Sequence, residues 1–346
     1  MKKITSRKFQ KKDVEDVLKI FIAYGLIHND EERERTRKLL LKDAVEPEWY
    51  DTFLVAELDG RVVGRVILEA AYPPYSELIN MYVHPDYRSR GVGSSLVQRC
   101  IEIASAHRCL LILTMTDPVE NLPAHRLYSK YGFRPGILGD PSRRRGHMWL
   151  FRFSQESSIK EFIKRHPFAE PSVSRSKEDF FERILYRMSW RDPQTQDKMD
   201  LFIEGQPSQT PDGTMPRITG FSFKEKDHEF EVVIKERNTI RLETSKIDLS
   251  FFNHSSKPLQ LALCASIPNG IILSPSPQTL SPIKVDTRKK RIIKFEIAVS
   301  DYSKLPKFTT FPTVLTTFFF WVKRLEYPLF ASTGFDRKVK GSIQIF

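Results

Sequence analysis

The chain has 346 residues, a length that suits two domains, and its 40% hydrophobic and 28% charged content excludes global disorder and collagen-like repetition. Its 55 lysines and arginines outnumber 43 aspartates and glutamates for a net charge of +12. That positive field draws anionic partners without choosing among nucleic acid, membrane and cofactor.

The start of the chain, Met1-Lys2-Lys3-Ile4, runs into polar Gln10-Lys11-Lys12-Asp13 rather than an apolar segment, so a secretory signal is not expected. Residues 3 to 9 read as a short strand. Asp13 then caps a helix whose Val14, Val17, Leu18, Phe21 and Ile22 recur at helical spacing, and Gly25 ends it. A second helix is expected from Asp30, through the charged series 31 to 35, to Leu39-Leu40-Leu41. Two apolar runs, 52–58 and 62–68, flank Asp59-Gly60, a dipeptide whose tolerance of positive φ suits a two-residue hairpin.

A strand from Glu77 to His84 enters a glycine-bearing turn. The helix after it carries Leu96, Val97, Cys100, Ile103 and Ala104 along one side and ends near His107. Leu110 to Leu113 is continuously apolar, as in a strand covered on both faces. A further helix is expected from about Asn121, with Pro123 in its first turn and Gly132 as its stop, and residues 146 to 153 supply one more strand.

Residues 154–213 read as a connector with short helices at 159–164 and 178–188. From 214 to 346, short apolar runs (231–234, 247–251, 259–263, 292–297) alternate with turn clusters at the spacing of a β-sandwich. Cys100, Cys109 and Cys264 have no zinc spacing, His228 and His254 lack metal-spaced companions, and no metal is expected. The basic clusters Arg143 to Arg145 and Arg288 to Arg291 have no interleaved aromatics and read as solvated turns, so no nucleic-acid partner is expected. The run Phe318 to Trp321 reads as core. With Val322 it forms the longest apolar run, far below the roughly 20 residues that span a bilayer, so a cytoplasmic chain with no membrane partner is expected.

The chemistry concentrates in Arg88-Ser89-Arg90-Gly91-Val92-Gly93-Ser94. Glycines at 91 and 93 let backbone amides approach a diphosphate, a helix starting there turns its free N–H groups toward it, and Arg88 and Arg90 add fixed charge. Arg88-x-x-Gly91-x-Gly93 after a strand ending Met81-Tyr82-Val83-His84-Pro85 resembles the acetyl-coenzyme A signature of the GNAT N-acetyltransferase family. Asn121-x-x-Ala124-x-x-Leu127-Tyr128-x-Lys130-x-Gly132-Phe133 resembles its second signature.

The resemblance covers residues 1–153 and implies an α/β (α+β) GNAT fold with a mixed central sheet. It also implies acetyl-CoA as co-substrate and transfer of acetyl to an amine acceptor, protein or small molecule. Met81, Tyr82 and Val83 would then lie along the pantetheine arm, residues 88 to 94 around the diphosphate, and Asn121 near the arm. Tyr128, near the sulfur, would protonate the leaving thiolate. A backbone N–H near Val83 would meet the oxyanion, and Glu77 is placed as the base, with a water chain and Glu120 as alternatives.

Leu113-Thr114-Met115-Thr116 stands where the similar bacterial ribosomal-protein acetyltransferases often carry a glutamate, so their substrate is not carried over. Residues 214–346 resemble an all-β immunoglobulin-like sandwich, which could serve a protein partner or self-association. A non-catalytic CoA-binding protein using that sandwich for partners is the alternative.

Overall fold

The computed structural model describes residues 4–45, 51–72, 74–138, 147–175, 185–205, 216–236, 244–304, 313–323 and 325–336. The chain divides into two compact units, one made chiefly of the residues up to Pro135 and the strand ending near Ser154, the other of the chain from Gln155 onward.

The first unit opens with β1 (Thr5–Lys8), α1 (Val14–Ala23), α2 (Asp30–Val45), β2 (Asp51–Leu58), β3 (Arg61–Tyr72) and β4 (Tyr75–Val83). It continues with α3 (Val92–Ala106), β5 (Leu111–Thr116), α4 (Leu122–Lys130), β6 (Arg134–Leu138) and β7 (Met148–Phe153). The strands form one sheet in the order β1-β2-β3-β4-β5-β7-β6. Its pairs are antiparallel from β1 to β4, β4 and β5 run parallel, and β5 and β7 are antiparallel again. The expected mixed sheet is present.

The β2–β3 hairpin turns on Asp59 and Gly60, at φ 53° and 75°, as that dipeptide predicts. Strand alternation sorts the core. Leu54, Ala56 and Leu58 of β2 pack with Leu96, Val97, Cys100 and Ala104 of α3, while Val55 joins Val17, Leu18 and Phe21 of α1 on the opposite face. Leu111, Ile112 and Leu113 are all buried, so the apolar run of β5 is covered on both sides.

One local expectation is corrected: the Asp13 side chain does not cap α1. It accepts from the Gln10 amide at 2.8 Å and from Arg7 at 2.7 and 2.9 Å, and Arg7 reaches on to Glu57 of β2 at 2.8 Å. The carboxylate thus ties the entry of α1 to the sheet edge. The strand β6 has no counterpart in the sequence reading; its Pro135-Gly136 disguises it.

The second unit holds α5 (Ser158–Arg165), β8 (Glu170–Arg175), β9 (Leu185–Arg191), β10 (Lys198–Glu204), β11 (Arg217–Glu225), β12 (His228–Glu236) and β13 (Thr244–Asn253). It then runs through β14 (Leu259–Ser266), β15 (Ile271–Ser274), β16 (Ile283–Val285), β17 (Lys290–Val299), β18 (Thr313–Val322) and β19 (Leu329–Asp336). An eight-stranded sheet, β15-β17-β13-β12-β11-β10-β9-β8, faces a four-stranded one, β16-β14-β18-β19. Phenylalanines join them: Phe320 meets Phe221 and Phe251 at 5.3 and 5.8 Å, and Phe318 meets Phe295 at 5.2 Å.

Strand alternation also divides the aromatic run of β18. Phe318 and Phe320 are buried, whereas Trp321 points outward and is 37% exposed. Of the segment read as a connector, 159–164 is helical as expected. β10 pairs with β11, so the 213/214 boundary does not interrupt the sheet. Residues 185–188 of the expected 178–188 helix are strand, with Tyr186 and Met188 buried at period two; 178–184 lie outside the described residues. His228 opens β12 rather than lying in a loop.

Candidate active site

The site grows from an irregularity in β4. Its register with β3 runs Glu69 to Glu77, Leu68 to Leu78 and Ile67 to Ile79, then slips before resuming at Arg65 to Tyr82 and Gly64 to Val83. Asn80, with φ 51°, is the extra residue of this bulge, a conformation asparagine tolerates better than most residues. On its other side β4 pairs with β5 only at Tyr75, Ser76 and Glu77. Thr114 Oγ1 donates to Leu78 O at 2.8 Å just past the last pair, and from there the strands part.

The opening is a cavity of about 350 Å³ whose lining includes Glu77, Met81, Tyr82, Asn121, Tyr128 and His147. His84 N donates to Val63 O at 2.9 Å, so strand alternation turns the peptide groups of Tyr82 toward β3 and those of Met81 and Val83 into the opening. Tyr82 therefore lines the cavity with its peptide groups turned to β3, and its ring packs against Phe21 and Tyr24.

Beyond β4, Pro85–Tyr87 make a 3₁₀ turn, Ser89 and Gly91 take φ of 60° and 89°, and α3 begins at Val92. Gly91 sits in the left-handed region where a side chain is strained. A Cβ on Gly93 would lie 2.9 Å from Leu127 Cδ2, so this glycine lets α3 approach α4. The first helical bond of α3 is Ser95 N to Gly91 O. The amides of Val92, Gly93 and Ser94 precede it and face outward at the positive end of the helix. The Arg88 guanidinium lies over the Tyr24 ring at 5.1 Å and that of Arg90 over Tyr87 at 5.2 Å.

Asn121 is the N-cap of α4, exposed at the cavity edge. Tyr128 lies further along that helix, only 5% exposed and packed on Phe133. Burial pushes its phenol well above the usual range despite a hydrogen bond to Thr114. Glu77 is also 5% exposed, and its Oε2 has no hydrogen-bond partner. Burial first, and the facing Glu69 second, push its carboxyl well above the usual range.

A family model described as the acetyltransferase (GNAT) family matches residues 15–133. An acetyltransferase of Yersinia pestis (strain Pestoides F) is 35% identical over 106 residues, covering 30% of this chain and 69% of that protein. The chain belongs to the GNAT acetyltransferase family. This GNAT chain is also similar to the N-acetylaspartate synthetase of Rattus norvegicus, 37% identical over 83 residues, 24% of the chain and 27% of that protein. It thus spans little more than a quarter of that relative's length. Among solved structures, the PaiA N-acetyltransferase of Thermoplasma acidophilum in complex with coenzyme A is similar at 21% identity, with a TM-score of 0.36. That match covers 44% of this chain and 99% of the other.

In this GNAT chain the structure gathers Glu77, Met81, Tyr82, Asn121 and Tyr128 on one cavity, with the 88–94 turn following on from β4. Glu120 is exposed and does not line the cavity; its amide donates to Asp117 Oδ1 at 2.9 Å. Arg143 to Arg145 lie outside the described residues. Among the described residues no group of three or more His, Cys, Asp or Glu side chains is arranged to hold a metal ion, and no helix is long and apolar enough to cross a membrane.

Sequence reasoning missed Tyr24, Arg65 and His147. His147 lines the cavity with Nδ1 buried and without a partner. Arg65 is buried over the Phe53 ring at 4.3 Å, its pKa pushed down to about 10 by burial. None of the three belongs to a motif: Tyr24 reaches Val83 of β4, Arg65 of β3 pairs with Tyr82, and His147 stands just ahead of β7.

The upward shift of Glu77 has a consequence for stability. A carboxyl that binds its proton more tightly when folded destabilises the folded state as pH rises from the unfolded value, about 4.3, through the folded one. Glu77→Gln, which is neutral at every pH, is therefore expected to raise Tm at pH 8 and to leave it nearly unchanged at pH 4. Thermal melts at the two pH values check this; an equal shift at both would contradict the burial of a carboxyl that resists ionisation.

Proposed function

We propose that the first unit is an N-acetyltransferase that moves acetyl from acetyl-CoA directly to a primary amine in a ternary complex. One observation carries the reading: β4 and β5 part beyond Glu77, beside a buried Tyr128 and ahead of a glycine turn at a helix N-terminus. The opening offers the Met81 peptide groups to the pantetheine arm, and those of Val83 lie next along the strand, where the Tyr24 hydroxyl holds them. The amides of Val92 to Ser94, with Arg88 and Arg90, suit the diphosphate, while Ser89 and Gly91 supply the turn. Asn121 borders the arm.

The amine nitrogen attacks the thioester carbonyl carbon, and the Met81 N–H meets the developing oxyanion. The C–S bond then breaks, and the thiolate takes the Tyr128 hydroxyl proton. The proton lost by the amine passes to Glu77 or to a water chain. A protein amine and a small-molecule amine both remain acceptors on this reading, and relatives named for an amino-acid product keep the small-molecule case open.

The second unit is read as an immunoglobulin-like sandwich, its facing sheets providing a surface for a protein partner or a second copy. A second reading is CoA binding without turnover, since the burial of Glu77 disfavours the charged carboxylate that would have to take the amine proton. Calorimetry with acetyl-CoA, paired with thiol release across a panel of amino acids, peptides and polyamines, separates the two. Binding with turnover is expected. Binding with no turnover on any acceptor selects the second reading, and failure to bind sinks both.

A further inference from the structure

Tyr24 stands one residue beyond α1, yet its hydroxyl engages a single residue of β4 twice. It donates to Val83 O at 2.9 Å and accepts from Val83 N at 3.3 Å. Both Val83 groups face away from β3 and into the opening where β4 leaves β5, because the neighbouring His84 N donates back to Val63 O. The ring is held on two sides: Tyr82 meets it edge-on at 5.0 Å, and the Arg88 guanidinium covers it at 5.1 Å. One hydroxyl thus fills the two backbone groups best placed to hold an extended amide-bearing chain, and its ring carries an arginine of the diphosphate turn.

We infer that Tyr24 sets the affinity of the site for the pantetheine arm of its acyl carrier by competing with that arm for the Val83 N–H and C=O. The inference rests on the acetyl-CoA reading above. The arm carries amide groups that can satisfy an N–H and a C=O spaced along one extended residue, and it cannot share them with a hydroxyl that already uses both. An anion that reaches only the turn gains nothing from loss of the hydroxyl, because the hydroxyl makes no contact there.

Tyr24→Phe tests this, since phenylalanine keeps the ring for Tyr82 and Arg88 and removes only the hydroxyl. Calorimetry on the full chain would use CoA, and ADP as a ligand with a diphosphate and no arm. Tyr24→Phe is expected to bind CoA about three- to tenfold more tightly than wild type, the span of one modest hydrogen-bond exchange, with ADP affinity unchanged. Unchanged or weaker CoA binding overturns the inference, as does an equal gain for ADP, which would place the effect at the turn. Wild type that fails to take up CoA overturns the acetyl-CoA reading itself, whereas wild type that binds CoA beside an indifferent variant overturns only the role of Tyr24.

Discussion

Tyr128→Phe is expected to lower kcat by about a hundredfold while the KM for acetyl-CoA stays within about twofold. A positioned general acid contributes about 10²- to 10⁴-fold, and the lower end applies where the leaving group is a thiolate that tolerates negative charge. The substitution is close to isosteric in a tight site: the ring sits 5.5 Å from Phe133 and is 5% exposed, so the phenyl group holds the same place in the core. What is lost is an O–H that burial keeps protonated across the whole neutral range. Because the proposed mechanism needs that proton only as the C–S bond breaks, kcat and kcat/KM should fall together. Tyr128 itself should add no alkaline limb to the pH–rate profile below the ordinary phenol range. A loss smaller than about threefold, with acetyl-CoA still bound, removes Tyr128 from the reaction.

The parts of this site that could be read from sequence are those whose chemistry is local. A glycine in the left-handed region at 91, a helix starting at 92 and a proline in the first turn of α4 are each properties of a few consecutive residues. So is the hairpin at Asp59-Gly60, and together they fix the order of elements around β4. What stayed hidden depends on pairs distant in the chain. The bulge at Asn80 looks like ordinary alternation until β3 is laid beside β4. Tyr24 and Val83 are 59 residues apart, and no motif joins the end of α1 to the end of β4.

The second unit shows the same division. Its strands after 216 announce themselves by β-branched and aromatic alternation. β9 and β10 place Arg187, Ser189 and Asp200 among their apolar residues, which weakens the pattern enough to read as connector. The Phe318 to Trp321 run is legible as apolar, but only pairing with β14 and β19 decides which alternate rings enter the core.

His166→Ala is expected to destabilise the second unit by about 3 kcal/mol, equivalent to a fall in Tm of about 6–12 °C for a unit of this size. The imidazole is buried and meets carboxylates at both nitrogens: Nδ1 lies 3.0 Å from Asp192 Oδ2, and Nε2 lies 3.1 Å from Glu225 Oε1 and 3.7 Å from Asp197 Oδ2. Those carboxylates are held by the chain around them. Asp192 Oδ1 accepts the amide of Gln194 at 2.8 Å inside the β9–β10 turn, and Asp197 Oδ1 accepts that of Lys226 at 2.8 Å in the β11–β12 turn. His166 itself closes α5, its N–H bonded to Phe162 O at 2.9 Å, and its ring lies tilted against that of Phe162 at 4.4 Å. One ring therefore fastens a helix end to two hairpin turns. With alanine in its place, three acidic groups would face one another, and only Arg165, 2.8 Å from Glu225 Oε1, would remain to offset them. His166→Phe separates the two contributions, since it keeps a ring against Phe162 and loses both hydrogen bonds. If the carboxylates dominate, it should melt within about 2 °C of the alanine variant; a melt close to wild type for either variant would show that the cluster is not what holds the turns.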